Sequence, residues 1–232
     1  MTHQQQGDTM SSSEPEFNDA REYSSLEEVM NTLLTAKGKS FRELDQTGRA
    51  LTGGNKGSLG QIIEESVLKY AINSDAAPDI HIGDTSYELK VTPLKHIKKG
   101  KQTSAKERLV IDIINYLTLA DETDFESSKM WDKAKNIILV YYYDDRTDKK
   151  KELRIDCKVL ASYLMKYEAD DLATIKNDWH VIRDKVASGH ADSLSESDTN
   201  YLAACTKGAN SKQLREAPAP AGANTATIFA KQ

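Results

Sequence analysis

The sequence predicts an α/β protein in which helices flank a mixed β-sheet. In the first third of the chain, apolar residues recur at helical spacing. From Ile80 to Val91 they instead alternate with polar residues, as they do in strands. Residues 135–143 add an apolar run with the length and composition of a buried strand. A chain of 232 residues is long enough to bury one substantial core.

Composition excludes several classes of protein. Hydrophobic residues make up 38% of the chain and charged residues 29%, which is a globular balance. The apolar runs are only a few residues long, and the N-terminus lacks a basic start and an apolar segment, so we expect neither a membrane span nor a secretory signal. Cys157 and Cys205 are too few for a disulfide framework or a zinc site. We therefore expect a cytoplasmic protein with no membrane partner.

Three segments are expected along the chain. Residues 1–22 are rich in Gln, Ser and acids and predict a disordered acidic tail. Residues 23–216 carry the helical and strand patterns of one folded domain. From Ala217 the composition shifts to Ala, Pro, Gly and Thr, so residues 217–232 are expected to be a linker or a truncated C-terminal segment.

Helices are predicted from capping and periodicity. Ser25 with Glu28 forms a capping-box pattern, and the helix that follows should stop near Lys37-Gly38. A second such pattern, Ser58 with Gln61, opens a predicted helix from Leu59 to about Ile72. Residues 171–189 predict another helix, which ends at Gly189.

Strands are predicted where the period falls to two. The run from Ile80 to Val91 is interrupted by Gly83-Asp84 and predicts a hairpin. Residues 107–116 are rich in Ile and Val and predict a strand, with a helix capped by Ser104 as the alternative. Residues 152–160 predict a further strand.

The charge distribution indicates a nucleic-acid partner despite a net charge of -5. Without its first 22 residues the chain carries only -1. The stretch from Lys90 to Arg108 holds seven cations against Glu107 alone, and a local patch of this kind fits a DNA cleft. A solvated loop is the alternative. The cations are Lys90, Lys95, Lys98, Lys99, Lys101, Lys106 and Arg108.

The residues that best fit a catalytic role lie on the predicted hairpin. Alternation puts Glu88 and Lys90 on one face and Leu89 in the core, and the hairpin brings Asp79 near Glu88. Two carboxylates and the Leu89 carbonyl form a hard-oxygen site suited to Mg²⁺. The lysine can orient and help deprotonate an attacking water. The alternative is an exposed hairpin with a surface ion pair between Glu88 and Lys90.

A further carboxylate is expected on the helix that precedes the hairpin. At 100° per residue, Glu65 shares a face with Gln61 and Lys69 and should be solvated. Glu64 falls beside Val67, where an unpaired charge is costly. Glu64 is therefore predicted to be the additional active-site acid, against the alternative of a purely structural role.

Several motifs resemble the family of the MutH mismatch-repair nickase and the Sau-type GATC restriction endonucleases. Lys56 to Glu64 resembles the family's K-G-x-x-G-x-x-x-E opening, and Pro78 to Pro93 resembles its P-D…E-L-K-x-T-P catalytic hairpin of the PD-(D/E)xK type. Residues 104–116 resemble the Sau-type branch, and residues 125–139 a segment bearing an active-site lysine, here Lys133. Asp178-Trp179, Tyr201-Leu202 and 205–210 follow the family order, so the resemblance spans Gly38 to Leu214.

The resemblance implies a MutH-like catalytic endonuclease domain over residues 23–216, with a DNA-binding cleft. Its implied catalytic residues are Glu64, Asp79, Glu88, Lys90 and Lys133, with Mg²⁺ bound by Asp79, Glu88, the Leu89 carbonyl and Glu64. Its implied DNA contacts near the GATC bases are Lys56, Gly57, Thr206, Lys207 and Gly208, and the lysine-rich stretch adds Lys95, Lys98, Lys99 and Lys101.

The implied function is a type II restriction endonuclease that cuts double-stranded DNA at GATC with Mg²⁺. A repair nickase that cuts one strand and a non-catalytic DNA-binding half are the alternatives. The interval from Asp79 to Glu88 is longer than the family's commonest one. The chain ends where Sau-type members continue, so a missing C-terminal allosteric domain or a DNA-induced dimer is also expected.

Overall fold

A computed structural model describes residues 22–48, 57–70, 78–147, 152–205, 214–223 and 225–231. The acidic tail lies outside these residues apart from Glu22, and so do Lys56, Thr206, Lys207 and Gly208. The α-helices are α1 (Leu26–Leu34), α2 (Phe41–Leu44), α3 (Ser58–Ile62), α4 (Tyr116–Asp121), α5 (Lys129–Ala134) and α6 (Ala169–Ala187). The strands are β1 (Ile80–Ile82), β2 (Thr85–Ile97), β3 (Gln102–Ala105), β4 (Ile137–Tyr143), β5 (Val159–Leu164), β6 (Leu214–Pro218) and β7 (Thr227–Lys231).

The main sheet is mixed, which confirms the predicted α/β class. Its order is β1-β2-β4-β5, and β3 pairs with the far end of β2. β2 and β4 are parallel, whereas the β1–β2, β2–β3 and β4–β5 pairs are antiparallel. A parallel pair needs a crossover connection, and α4 and α5 lie in that connection. None of the described helices is long and apolar enough to cross a membrane.

Both faces of the sheet are covered. On one face, Ile138 and Val140 join Leu89 and the apolar side chains of α1, α2 and α3 in the largest core cluster. On the other face, Ile137 and Leu139 pack with Ala134 of α5 and its neighbours. β4 is buried on both sides, which explains why its sequence is a continuous apolar run.

The N-terminal helices only partly follow their capping patterns. Ser25 caps α1 by accepting the Glu28 N–H at 3.1 Å, but the Glu28 carboxylate accepts from Ser24, so only half of the predicted capping box forms. The capping box predicted for Ser58 and Gln61 is wrong, because Gly57 is the N-cap of α3 and makes no side-chain hydrogen bond to the helix. The predicted helix to Ile72 is also wrong, since α3 gives way to a π-helix over Ile63–Val67. The segment then turns out of helical geometry at Lys69, whose φ is 61°.

The strand predicted over residues 107–116 is absent, and so is the alternative helix capped by Ser104, which lies in β3. Residues 108–115 form no regular element, and α4 begins at Tyr116 with Asn115 as its cap. The apolar side chains of this segment serve two different clusters. Leu109 and Ile111 pack with β4, while Ile114 packs beside Tyr116. Its Ile and Val content therefore reflects burial and not strand pairing.

The second half of the chain shows one confirmed helix and two corrections. α6 ends as predicted, with Gly189 at φ +84°. The strand predicted over residues 152–160 lies later, because Arg154–Asp156 is a 3-10 helix and β5 starts at Val159. From Ala217 the described residues do not form a linker, since β6 and β7 make a hairpin whose Ala217 and Ala230 are buried against the end of α6; the alternative of a truncated C-terminal segment stays a prediction. A Cβ on Gly189 would lie 2.2 Å from the Pro220 nitrogen, so glycine is also needed for this contact.

A buried ion cluster fixes the base of the β2–β3 hairpin. Asp144 is 1% exposed, and Arg146 donates to both of its carboxylate oxygens at 2.7 and 3.0 Å. Lys106, just after β3, adds an ion pair at 3.0 Å and donates to the Asp144 carbonyl. The hydrogen bonds from Arg146 outweigh burial and, with Lys106, hold the pKa of Asp144 well below its usual range. This cluster anchors the segment that carries the exposed lysines.

We expect Asp144→Asn to lower the free energy of unfolding by about 3 kcal/mol, because it leaves partly buried cations unpaired. The difference in unfolding free energy between wild type and variant should be largest above the unfolded-state pKa of Asp144, about 4. It should shrink as the pH falls below that value, because protonation of Asp144 removes the same charge from the wild type. Urea unfolding at several pH values measures this.

Asp156→Asn is the matched control, because its pair with Arg42 is about half exposed and solvent screening should leave it little effect on stability. Equal losses in the two variants would contradict the anchoring role of Asp144.

Candidate functional site

The hairpin that the sequence predicts forms in the structure. β1 and β2 pair with Ile80 opposite Tyr87, and Gly83 takes a φ of 54° in the turn between them. Asp79 therefore comes to lie beside the next part of β2. Its Oδ2 accepts the N–H of Leu89 at 2.8 Å, so the carboxylate is fixed to the strand that carries Glu88 and Lys90.

Glu88 and Lys90 project together while the residue between them enters the core. The Nζ of Lys90 lies 2.5 Å from Oε1 of Glu88, and Leu89 is 6% exposed within the main cluster. Glu88 is also 6% exposed, and the Lys90 side chain 24%. The pair is thus largely buried. It is not the exposed surface ion pair that was the alternative interpretation of Glu88 and Lys90.

One oxygen of the buried Glu88 carboxylate lacks a hydrogen bond. Oε2 has no partner among the described residues, although burying such an atom unsatisfied is costly. A hard divalent cation beside Asp79 would satisfy it, so these two carboxylates fit Mg²⁺. Among the described residues, no group of three His, Cys, Asp or Glu side chains is arranged to hold a metal, so a third carboxylate at this pair stays a prediction.

The environments predicted for the two helix glutamates are wrong. Glu65 is 7% exposed and accepts a hydrogen bond from Thr47 at 3.2 Å, whereas Glu64 is only partly buried. The π-helix adds residues to each turn, so the phase counted at 100° per residue fails after Ile63. A Cβ on Gly60 would lie 3.8 Å from Oε1 of Glu64, so this carboxylate folds back over α3. Its catalytic role stays a prediction.

Lys133 is held by a residue that the sequence reading missed. Its Nζ lies 3.5 Å from Oδ1 of Asp112, and the Nζ of Lys129 lies 3.0 Å from the other oxygen. Burial opposes ionisation of Asp112, but the Lys129 hydrogen bond, the Ile113 N–H and both lysine charges lower its pKa overall. A carboxylate inside an otherwise apolar run could have been recognised as needing such partners.

A cavity of about 360 Å³ lies beside the Glu88–Lys90 pair, and Lys90 lines it. Lys90 and Thr92 of β2 line one side, and the irregular segment from Glu107 to Ile113, with Asp112, lines the other. Asp112, which forms ion pairs with Lys129 and Lys133, is one of the residues that line this cavity. The site therefore offers carboxylates and cations around one space, as hydrolysis of an anionic substrate requires.

The lysine-rich stretch splits into paired and unpaired cations. Lys90, Lys106 and Arg108 are bound to Glu88, Asp144 and Glu196. The other four lie on or beside the turn between β2 and β3, are exposed, and form no ion pair with another described residue. They are Lys95, Lys98, Lys99 and Lys101, the four that the sequence reading assigned to DNA. Of the residues expected at the bases, only Gly57 is described, as the exposed N-cap of α3.

Comparison with known proteins agrees with this arrangement. A family model described as the DNA mismatch repair enzyme MutH matches residues 68–178, which include Asp79, Glu88, Lys90 and Lys133. The type II restriction enzyme Sau3AI of Staphylococcus aureus is 39% identical over 196 residues, 84% of this chain and 38% of that enzyme. The DNA mismatch repair protein MutH of Shewanella woodyi is 26% identical over 207 residues, 87% of this chain and 84% of that protein.

The chain belongs to the MutH/Sau3AI-type family. Membership confirms the resemblance seen in the motifs, and the mixed sheet flanked by helices is consistent with the fold of this family. The chain spans less than half the length of Sau3AI but most of the length of the MutH relative.

We expect Mg²⁺ or Ca²⁺ to raise the thermal unfolding midpoint of the wild type, and Glu88→Gln to abolish that rise. The variant loses the carboxylate that a cation would satisfy. A ligand at a hundred times its Kd stabilises by about 2.7 kcal/mol, which is a shift of a few degrees. Differential scanning calorimetry with and without the cation measures it. Glu27→Gln, exposed on α1, is the control, and a full cation response in Glu88→Gln would remove this residue from the metal site.

Proposed function

We propose that the chain is the catalytic part of a type II restriction endonuclease, which hydrolyses double-stranded DNA at GATC and uses Mg²⁺. The observation that carries the proposal is the buried Glu88–Lys90 pair beside Asp79, with one carboxylate oxygen left for a cation. The similarity to Sau3AI, a type II restriction enzyme by name, supports the reaction class.

The cation would be held by Asp79, Glu88 and the Leu89 carbonyl, with Glu64 as a further proposed ligand. When bound, the cation places positive charge beside the scissile phosphate and lowers the pKa of the water molecule that it binds. The hydrogen bond between the Leu89 N–H and Asp79 fixes the carboxylate on the same strand as Glu88, so both are oriented before substrate arrives.

Lys90 holds the attacking water and eases loss of its proton, because its ammonium group lies against Glu88 and faces the cavity. The water oxygen bonds to phosphorus, one P–O bond of the diester breaks, and the leaving oxygen takes a proton. Lys133, held by Asp112, places a second cation near the charge that develops on phosphorus.

DNA would be held by the unpaired lysines of the β2–β3 turn. Lysines without intramolecular partners are available to phosphates, and each contact releases counterions. Phosphate contacts position the duplex but carry no sequence information. We therefore propose that other segments contact the bases of GATC. Their motif resemblance implies that these are the segments around Lys56-Gly57 and Thr206-Lys207-Gly208. A further C-terminal domain or a DNA-induced dimer is proposed to complete the assembly.

A nickase that cuts one strand is the second candidate, because a DNA mismatch repair protein is also similar to the chain. The higher identity to a restriction enzyme favours cleavage of both strands. A non-catalytic DNA-binding half is disfavoured by the intact Asp79, Glu88 and Lys90 set.

We expect the wild type to convert a supercoiled plasmid with one GATC site to linear DNA in Mg²⁺. Asp79→Ala and Glu88→Ala should slow cleavage at least about a thousandfold, because each removes several kcal/mol of transition-state stabilisation. Specific binding of a GATC duplex should persist, since neither residue reads bases. Glu64→Gln is predicted to follow them.

Asp84→Ala is the control on the same hairpin, since Asp84 is exposed in its turn. Gel analysis distinguishes the candidates: an accumulated nicked circle favours the nickase. Wild-type cleavage rates in Asp79→Ala or Glu88→Ala would refute the site.

We expect the combined change of Lys95, Lys98, Lys99 and Lys101 to Gln to weaken binding of GATC and unrelated duplexes alike. The slope of log affinity against log salt should become shallower by up to about 3.6, because each lost phosphate contact removes about 0.9. Titration at three salt concentrations measures both effects. Lys37→Gln with Lys39→Gln, two exposed cations after α1, is the control. An unchanged slope in the fourfold variant would show that DNA does not follow this hairpin.

A further inference from the structure

Two hydroxyl groups that the proposed mechanism does not use continue the face of the sheet that carries Lys90. Thr92 follows Lys90 by two positions in β2, so strand alternation puts both side chains on the same face. The parallel pairing of β2 with β4 then sets Tyr141 directly beside Thr92. A threonine and a tyrosine hydroxyl therefore lie one step along the strands from the proposed catalytic lysine.

Thr92 has an unpaired hydroxyl although the residue is buried. It is 9% exposed, and it lines the same cavity of about 360 Å³ as Lys90. The hydroxyl forms no hydrogen bond with any other described residue. Because buried polar groups in proteins are normally paired, this hydroxyl indicates a hydrogen-bonding ligand in the cavity.

The Tyr141 hydroxyl is carried on a ring that is held in place. The ring packs with the cluster of Ile137 and Leu139, and its centroid lies 5.9 Å from that of Tyr163 on β5. The hydroxyl has no hydrogen-bond partner among the described residues. Burial, with a smaller contribution from Tyr163, raises the pKa of Tyr141, so the hydroxyl keeps its proton and can donate.

The charges around the cavity do not oppose an anion. Two carboxylates line it, and each is compensated by a cation. Glu107 forms an ion pair with Arg154 at 3.3 Å, and Asp112 forms one with Lys129 at 3.0 Å. Threonine and tyrosine hydroxyls commonly donate to the phosphate oxygens of DNA, so a phosphodiester suits the open donors.

We propose that Thr92 and Tyr141 bind the backbone phosphate next to the scissile one, on the strand that is cut. This inference rests on the proposed function, because the scissile phosphate must lie at Lys90. Two positions of a strand span about 6.6 Å, which is close to the separation of neighbouring phosphates along one DNA strand. One phosphate can therefore lie at Lys90 while the next accepts hydrogen bonds from Thr92 and Tyr141.

Thr92→Val and Tyr141→Phe test the inference, because each removes one hydroxyl and keeps the shape of the side chain. Cleavage of a GATC duplex is measured over a range of DNA concentrations in Mg²⁺. The KM should rise about tenfold in each variant, the worth of a hydrogen bond to a charged group. The kcat should stay within about twofold, since a contact to a phosphate that does not react is equal in the ground state and the transition state.

A modified substrate separates a phosphate contact from general damage to the strand. Two duplexes carry an uncharged methylphosphonate, one on each side of the mapped cut. One of the two should raise the KM of the wild type about tenfold, because it lacks the charged acceptor. In Thr92→Val and Tyr141→Phe that increase should be smaller, since the contact is already lost, whereas independent effects would multiply.

Thr85→Val and Tyr87→Phe are the matched controls. Both residues lie on β2 at positions that alternate to the face opposite Lys90, so neither change should alter the KM or the response to the methylphosphonate.

An unchanged KM in both test variants, or a full methylphosphonate response in both, would overturn the inference. If Thr92→Val does not fold, Tyr141→Phe decides by the same two readouts. A wild type that cuts GATC DNA but tolerates both methylphosphonates overturns the inference alone. A wild type that leaves the GATC duplex uncut refutes the proposed function, and the inference with it.

Discussion

The core and the candidate site both depend on the register of β2. Successive side chains of a strand face opposite sides of the sheet, so Leu89 can be buried in the core only if Glu88 and Lys90 face away from it. A slip of one residue would bury both charges in the core and expose the leucine. The turn at Gly83 and the parallel pairing with β4 both fix the register. Local chemistry and long-range packing therefore select the same alignment.

The buried carboxylates of this fold differ in how many of their oxygens have hydrogen-bond partners. Asp144 and Asp178 have their oxygens surrounded by donors, so each ties distant segments together. Glu88 is also buried but keeps one oxygen without a partner among the described residues. Unsatisfied polar atoms destabilise a fold, and in a cleft they are associated with ligand sites. The unsatisfied oxygen therefore distinguishes Glu88 from Asp144 and Asp178.

The errors in the sequence reading have physical causes. Glu64 and Glu65 were assigned from an ideal helix, and a π-helix starts one residue before them, so their faces changed. Residues 107–116 looked like a strand because burial and strand pairing select the same apolar residues. In the structure their side chains divide between two clusters. Both outcomes depend on packing against elements that no local pattern specifies.

The sequence by itself determined the hairpin, the alternation that places Glu88 beside Lys90, and the end of α6 at Gly189, because these follow from backbone periodicity and from turn and capping chemistry. Only the tertiary structure decided that Lys133 pairs with Asp112 and that Asp178 holds residues 200–202. These contacts join residues more than 20 positions apart along the chain. Which donor reaches which acceptor is set by how the elements pack, and periodicity within a single element carries no information about that.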